Sequence, residues 1–115
     1  MQVAMSDRES LLELTGSAFE IRELLDYQSG AIVSQTLVDD ESVTVTVFAF
    51  DEGERLSEHT APHDAILQVV DGTAEITIDS EEYEVQAGES IVLPADEPHA
   101  VDAVSQFKMF LTMIR

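Results

Sequence analysis

Residues 65–79, AILQVVDGTAEITID, read as two short strands joined by a tight turn at Asp71-Gly72. Aspartate followed by glycine favours such a turn, because both residues tolerate the backbone conformations that tight turns need. In the second strand, threonine and acidic residues alternate with Ala74, Ile76 and Ile78. That period of two is typical of a strand with one buried face and one solvated face. The stretch therefore predicts antiparallel β-structure.

Further short apolar runs lie on both sides of this pair. The full set of predicted strands covers residues 31–38, 43–50, 65–71, 73–79, 82–86, 90–93, 99–104 and 107–114. Strands of this length at regular spacing, with no helix between them, favour an antiparallel sandwich or barrel over a parallel α/β sheet. A second tight turn is expected at Asp79-Ser80.

The chain before these strands has a different pattern. Residues 8–27 carry apolar side chains at a loose spacing of three and four, which predicts helix. Gly16 divides this stretch, so we expect one or two short helical turns rather than one long helix. The predicted organisation is thus an N-terminal segment with a short helix, residues 1–30, followed by an all-β barrel domain, residues 31–115.

Two predicted strands are apolar on both faces. In residues 43–50 we expect Val43, Val45 and Val47 to point inward, which leaves Phe48 and Phe50 on the opposite face. Residues 107–114 likewise carry large apolar side chains on both sides. Both faces must then be covered, either by the N-terminal segment or by a second subunit. We favour a homodimer formed through these strands.

The charge of the chain is strongly acidic. It has 115 residues, of which 24 are Asp or Glu and 5 are Lys or Arg, so its formal net charge is −19. This balance excludes nucleic acids and anionic membranes as expected partners, because both are bound by cationic side chains. The chain is also 44% hydrophobic, in short patterned runs, which indicates a folded domain with an acidic skin rather than disorder. Such a skin, almost without lysine, resembles proteins of salt-accumulating (halophilic) microbes.

Other features narrow the location and the chemistry. There is no cysteine, which excludes disulfides and thiolate ligands. No apolar stretch approaches the roughly 20 residues that span a bilayer. The N-terminus lacks the basic start and apolar run of a signal peptide, so we expect a cytoplasmic protein.

The candidate chemistry lies in three histidines, His59, His63 and His99. Neutral imidazole is the commonest metal ligand in proteins, and neighbouring strands can bring distant histidines onto one ion. Each one could instead be a surface or turn histidine, which is the commoner outcome for a lone histidine.

The spacing around these histidines resembles the two motifs of the cupin superfamily, G-x5-H-x-H-x3,4-E-x6-G and G-x5-P-x-G-x2-H-x3-N. Gly53, His59 and Gly72 match the first motif, and Gly88, Pro94 and His99 match the second. The likeness covers roughly residues 31–114 and is specific in its spacing. It is greatest to the small single-domain cupins of the "cupin 2" type. The resemblance implies a double-stranded β-helix, a jelly-roll barrel of about ten short strands.

The departures from the motifs fall on the expected metal ligands. Ala61 and Ala65 stand where the family has its second histidine and its glutamate, and Asp96 replaces a motif glycine. Of the four ligands typical of the family, only His59 and His99 are present.

Three other residues could complete a metal site. His63 shares strand parity with residue 59 if the backbone between them is extended, and Asp64 could supply an oxygen. Gln68 is a polar residue in an apolar strand, although simple alternation places it on the face opposite Ala65 and a bulge would be needed to turn it inward. The expected metal ligands are therefore His59, His63, His99 and Gln68. The ion would be a divalent transition metal: zinc, iron, nickel, copper or manganese.

Two functions follow from the resemblance. In the first, the ion anchors a small-molecule reaction, since cupins of this size include dioxygenases, isomerases and decarboxylases. In the second, the barrel binds or senses a small organic ligand without metal and without turnover. The fold alone does not separate them.

Overall fold

Nine antiparallel strands in two sheets make up the structure, a computed structural model that describes residues 11–115. They are β1 (Ile32–Asp39), β2 (Val43–Phe50), β3 (Arg55–His59), β4 (Asp64–Asp71), β5 (Thr73–Ile78), β6 (Glu81–Gln86), β7 (Ser90–Leu93), β8 (His99–Ala103) and β9 (Phe107–Ile114). The five-stranded sheet has the order β1-β2-β9-β4-β7, and the four-stranded sheet has the order β3-β8-β5-β6. The expected all-β, jelly-roll fold is confirmed. No helix in the described part of the chain is long and apolar enough to cross a membrane.

All eight predicted strands are present, but β3 was not predicted. Four of its five side chains are exposed and only Leu56 is half-buried, so apolar residues do not alternate along it. The period of two that reveals a strand in the sequence is absent there.

The turn predicted at Asp79-Ser80 is confirmed. Asp71-Gly72 is not a hairpin turn, because β4 and β5 lie in different sheets and do not pair. Gly72 joins β4 to β5 with φ +74°. Asp79 and Ser80, with φ of +48° and +71°, form a two-residue loop between the paired residues Ile78 and Glu81. Positive φ at both loop positions is typical of the type I′ hairpin turn, whose twist matches that of the strands it joins.

The main core lies between the two sheets. Phe50 and Phe107, both fully buried, stack there with ring centroids 4.5 Å apart. The rest of this core comes mainly from β4, β5 and β8, with Leu67 and Ile76 at its centre. Aromatic side chains of this size supply much of the apolar area that stabilises a small domain.

The expectation that Val43, Val45 and Val47 point inward is wrong. Phe48 and Phe50 point into the barrel, and the valines lie on the outer face of the five-stranded sheet. Because both faces of β2 are apolar, alternation alone could not say which was the inner one. The larger phenylalanine rings fill the space between the sheets.

The N-terminal segment covers part of that outer face. Residues 11–15 form turns with hydrogen bonds between residues three apart, and a 3-10 helix spans Ile21–Glu23. Leu25 is buried in a second apolar cluster with Val33, Leu37, Val47 and Ala49. The predicted short helical turns are therefore present where the structure describes the segment, and residues 1–10 lie outside the described range.

Polar contacts hold the segment to the end of the barrel farthest from Asp64. The Tyr27 hydroxyl donates to Asp71 Oδ2 at 2.5 Å, and Lys108 Nζ donates to the Arg22 carbonyl at 2.6 Å. Lys108 Nζ also lies 4.7 Å from the centroid of the Tyr27 ring, a cation–π geometry. Burial, followed by the neighbouring Asp71 carboxylate, raises the pKa of Tyr27, so the hydroxyl stays a donor.

Candidate functional site

His59 and His99 lie side by side because their strands pair. His59 ends β3, His99 begins β8, and the two residues are antiparallel partners. Their Nε2 atoms are 3.1 Å apart, and their rings meet edge to face with centroids 4.4 Å apart. The four-stranded sheet thus brings together two residues that are 40 positions apart in the sequence.

The other ring nitrogen of each histidine faces a backbone carbonyl. His59 Nδ1 is 2.9 Å from the Ser57 oxygen, and His99 Nδ1 is 3.1 Å from the Glu97 oxygen. A carbonyl oxygen can only accept, so each Nδ1 is the donor. A neutral imidazole has one N–H, so both Nε2 atoms then carry lone pairs that face each other. A cation between them, either a proton or a metal ion, makes this contact attractive.

Burial of His99 disfavours the protonated form of its ring. His99 is 7% exposed, whereas His59 is exposed. Desolvation is the main reason that the pKa of His99 lies below its usual value; the hydrogen bond to Glu97 opposes this effect, and the charge of His59 adds to it. The His99 ring is therefore neutral at pH 7, which is the form that binds metal.

The separation of the two nitrogens fits a shared ion. Two nitrogen ligands with bonds of about 2.1 Å lie roughly 3.0–3.4 Å apart at ligand angles of about 90–110°. The observed 3.1 Å falls within that interval. Within residues 11–115, however, no group of three or more His, Cys, Asp or Glu side chains is arranged to hold a metal. The described chain therefore offers two donors for an ion and leaves its remaining positions open.

His63 is not brought to the pair. It is half-buried in the connection of residues 60–63 between β3 and β4, which is not a strand. The strand parity that would aim His63 toward the barrel interior therefore does not apply.

Asp64 is hydrogen-bonded to the backbone of a neighbouring connection and is not grouped with the two imidazoles. Its Oδ1 accepts the Ala95 N–H at 2.7 Å. A second hydrogen bond, from the Asp96 N–H to the Ala61 oxygen at 2.8 Å, ties the same two connections together. These bonds fix the rim of the barrel around the histidines.

Gln68 lies on the outer face of β4. It is exposed and pairs in regular register with Phe110 and Ser90, while Ala65 points into the core. The register shift in β4 falls between Val69 and Asp71 and does not turn Gln68 inward. Gln68 lines a shallow pocket of about 280 Å³ with neighbours that include Glu89, so it belongs to a different surface from the histidine pair.

An apolar wall lies at the same end of the barrel as the pair. Ala65, which replaces the family's glutamate, has Leu93 and Met113 as its partners on the neighbouring strands. All three pack in the main core, and Ala65 and Leu93 are buried. The imidazole pair therefore lies at an end of the barrel whose interior is packed with apolar side chains.

Sequence reasoning missed two parts of this site. The carbonyls of Ser57 and Glu97 orient the rings, but backbone groups leave no mark in the sequence. Asp96 has φ +66°, a left-handed conformation. The motif glycine at that position was the available signal that a positive φ is needed there.

Comparison with known proteins agrees with this architecture. Residues 46–115 match the family model described as the cupin domain. A conserved protein of unknown function from Streptococcus pyogenes is 36% identical, with a TM-score of 0.83 over 86% of this chain and 87% of that one. A cupin 2 conserved barrel domain protein from Leptotrichia buccalis is 42% identical, with a TM-score of 0.82. That likeness covers 84% of this chain but only 47% of the Leptotrichia chain.

More distant neighbours include enzymes. A salicylate 1,2-dioxygenase from Pseudaminobacter salicylatoxidans has a TM-score of 0.68 at 16% identity, over 72% of this chain and 26% of that one. At this identity the likeness shows the fold alone. A comparison with curated proteins found no match. The family match over most of the barrel and the two relatives above 30% identity place this chain in the cupin family.

Proposed function

We propose that this chain binds a divalent transition metal between His59 and His99 and uses that centre to bind or transform a small molecule. The observation that most supports this proposal is the distance of 3.1 Å between the Nε2 atoms of His59 and His99. The Nδ1 atom of each of these rings faces a backbone carbonyl oxygen. Two lone pairs at this distance repel each other unless a cation lies between them. The lowered pKa of His99 keeps that ring neutral at pH 7, which is the form that binds a metal ion.

Different residues of the chain have different roles at the proposed metal site. His59 and His99 would hold the ion. The Ser57 and Glu97 carbonyls accept from Nδ1 of the two rings and so fix their tautomers, as hydrogen bonds to metal-binding histidines do in other proteins. Ala61 and Ala65 stand where other family members place ligands, so neither position supplies a donor. When bound, the ion supplies Lewis acidity to an oxygen of the small molecule. The net charge of −19 raises the local concentration of divalent cations.

Two donors make a weak site. Structural zinc sites with four ligands bind with about 10–16 kcal/mol, so two ligands correspond to about 5–8 kcal/mol. Dissociation constants between about 1 µM and 0.2 mM follow. An ion held this weakly leaves during dialysis, so the direct assay is titration of metal-free protein.

The small molecule completes the site. An oxygen donor of the small molecule would add a ligand to an ion held by His59 and His99, and an apolar body would lie at the end of the barrel that carries Leu93 and Met113. Metal and ligand then raise each other's affinity, because the ligand adds the donors that the chain lacks.

The test is calorimetric titration with zinc and manganese of protein purified without an affinity tag. We expect one ion per chain in the wild type and no binding in His59→Ala or His99→Ala. His63→Ala and Gln68→Ala are matched controls that remove a donor outside the pair, and both should keep the ion. Loss of binding in His63→Ala alone would mean that the connection of residues 60–63 moves to supply a third ligand.

The second candidate is a cupin that binds a small molecule without metal. It is favoured by the same absence of a third His, Asp or Glu donor in residues 11–115. Its signature would be wild-type protein that binds neither ion and has the same melting temperature with and without a chelator. In that case the imidazole pair would serve as a hydrogen-bonding group for the ligand.

A further inference from the structure

Three threonines of the five-stranded sheet point into the barrel. The strand partners of Thr44 and Thr46 on β9 are Met113 and Leu111, which pack on the main core. Directly paired residues lie on the same face of a sheet, so both threonines belong to the inner face. Thr36 on β1 pairs with Thr46 and lies on that face too. We call these three threonines the hydroxyl row.

The hydroxyl row lies at the end of the barrel that carries the imidazole pair. Met113 connects Thr44 to the first residues of β4, and β4 begins shortly after His59 in the chain. His99 pairs with Ile78, which packs on the main core, so the imidazoles point inward from the four-stranded sheet. Packed sheets lie about 10 Å apart. The hydroxyls and the imidazoles therefore line opposite walls of one mouth of the barrel.

Solvent reaches the interior at this end. The three threonines are only half-buried, and so are their partners Leu111 and Met113. By contrast, Phe50 and Phe107, at the opposite end of the same two strands, are fully buried. The space between the sheets is therefore closed at one end and accessible at the mouth.

One hydroxyl of the row has no partner within the described chain. The Oγ1 atom of Thr44 is buried and makes no hydrogen bond to residues 11–115. A buried polar atom without a partner is costly, and native structures nearly always provide one. Valine has almost the same shape without this cost, and valines occupy the alternate positions of β2. The hydroxyl of Thr44 thus points to a partner from outside the chain.

The charges around the mouth disfavour an anionic ligand. Four carboxylates flank the imidazoles in the sequence or lie in the adjoining connections: Glu58, Asp64, Asp96 and Glu97. Within residues 11–115 every cationic side chain already has a partner: Arg22 pairs with Glu20, Arg55 with Asp102, Arg115 with Asp39, and Lys108 with the Arg22 carbonyl. A bound divalent ion would carry fewer charges than the four carboxylates. An anion is therefore repelled from this mouth, whereas an uncharged molecule is not.

We propose that the hydroxyl row and the imidazole pair together bind an uncharged small molecule with neighbouring hydroxyl or carbonyl oxygens, such as a sugar or another polyol. A threonine hydroxyl donates one hydrogen bond and accepts two, so it matches a ligand hydroxyl in either direction. A site that hydrogen-bonds a ligand hydroxyl also rejects analogues that lack it. This inference rests on the small-molecule site proposed above but not on the metal, because the threonines contact the ligand with or without an ion.

The experiment is titration of the isotope-labelled full chain with three probes that share one skeleton: glucose, which is neutral, glucuronate, which is anionic, and glucosamine, which is cationic. Each is added up to about 50 mM, which detects dissociation constants in the millimolar range. ¹H–¹⁵N spectra are recorded on metal-free protein and again with zinc. We expect glucose to shift the resonances of the hydroxyl row and to bind at least about 10-fold more tightly than glucuronate, because like charges repel.

Thr44→Val and Thr46→Val test the hydroxyls themselves. Each should raise the dissociation constant of glucose by about 3- to 10-fold, because each removes one hydrogen bond to the ligand. Thr44→Ser keeps the hydroxyl and should keep the affinity. Thr44→Val should not lower the melting temperature, because the lost hydroxyl has no partner within the described chain. A purely structural hydroxyl would give the opposite pair of results.

Thr112→Val is the matched control. Thr112 is half-buried like the hydroxyl row and lies on β9 of the same sheet. It pairs with Val45, which lies on the outer face, so it points away from the mouth. The substitution removes the same atom and should leave the affinity for glucose unchanged.

Three results would overturn the proposal. The first is glucose that shifts no resonance of the hydroxyl row, and the second is glucuronate or glucosamine that binds as tightly as glucose. The third is an equal effect of Thr44→Val and Thr112→Val on the affinity, which would mean that Thr44 is satisfied by water alone. The metal site fails separately: glucose binding without zinc binding would refute the metal centre and leave this inference standing, and zinc binding without glucose binding would do the reverse.

Discussion

Gly72 connects β4 to β5 where the backbone of another strand passes close by. A Cβ atom built on it would lie 1.9 Å from the Gln106 carbonyl oxygen and 2.8 Å from Phe107 Cα. Ordinary contacts are longer than 3.4 Å, so in Gly72→Ala the start of β9 must move by more than 1 Å. That movement disturbs Phe107, which stacks on Phe50 in the core. We expect a loss of about 1–2 kcal/mol from the positive φ and about 1–3 kcal/mol from the overpacking.

Gly53→Ala provides a matched control for this substitution. Gly53 belongs to the same motif and has a similar φ of +84°, but an added Cβ would meet nothing within 4 Å. Gly53→Ala should therefore cost only the about 1–2 kcal/mol of the positive φ. Urea unfolding of both variants at one salt concentration gives the difference in unfolding free energy directly, and we expect about 1–3 kcal/mol. Equal losses, within about 0.5 kcal/mol, would refute the close approach as the reason for this glycine.

Four further predictions concern stability. Asp96→Gly removes the strain of a non-glycine residue at φ +66° and should stabilise the fold by up to about 1 kcal/mol in urea unfolding, whereas a loss would contradict the strain. The charge of Glu82 is the main cause of the raised pKa of Glu75, so the carboxylate form is disfavoured in the folded state and stability falls as the pH rises through that pKa. Glu75→Gln should remove this dependence and raise the melting temperature at low salt, and an unchanged pH profile would count against the repulsion. Hydrogen bonding, chiefly from the Gly30 N–H, lowers the pKa of Asp51. The ionised carboxylate therefore stabilises the fold fully when the pH is above the usual pKa of 3.8, and this stabilisation is lost as the pH falls through the lower pKa of the folded state. Asp51→Asn should flatten acid unfolding in that range, and a curve as steep as that of the wild type would show that the bond is unimportant. The melting temperature of the wild type should rise steeply with potassium chloride, because salt screens a net charge of −19, and a flat response would contradict the self-repelling skin.

The motif spacing was sufficient to predict where the two imidazoles meet. Glycine and histidine positions encode turn and strand lengths, and these lengths bring His59 opposite His99 in the sheet. Alternation in β4 also placed Gln68 correctly on the face opposite Ala65. Both inferences rest on the period of a strand, which is a strong geometric constraint.

The predictions that failed concern segments in which the strand period of two gives no information. β3 has a single half-buried apolar residue, Leu56, so nothing in its pattern marks a strand. β2 is apolar on both faces, and only the tertiary structure decides that Phe48 points inward. His63 follows Pro62 in a connection, and parity does not extend through a turn.

The proposed metal site requires two unprotonated Nε2 atoms that face a common point at the mouth of the barrel. Long-range ¹H–¹⁵N spectra of the histidine rings, recorded at neutral pH on metal-free protein and again after addition of zinc, test it directly. We expect the Nδ1–H tautomer for both His59 and His99, and we expect zinc to shift both Nε2 resonances together and to leave those of His63 in place. An Nε2–H tautomer on either ring of the pair, or zinc shifts confined to His63, would contradict it.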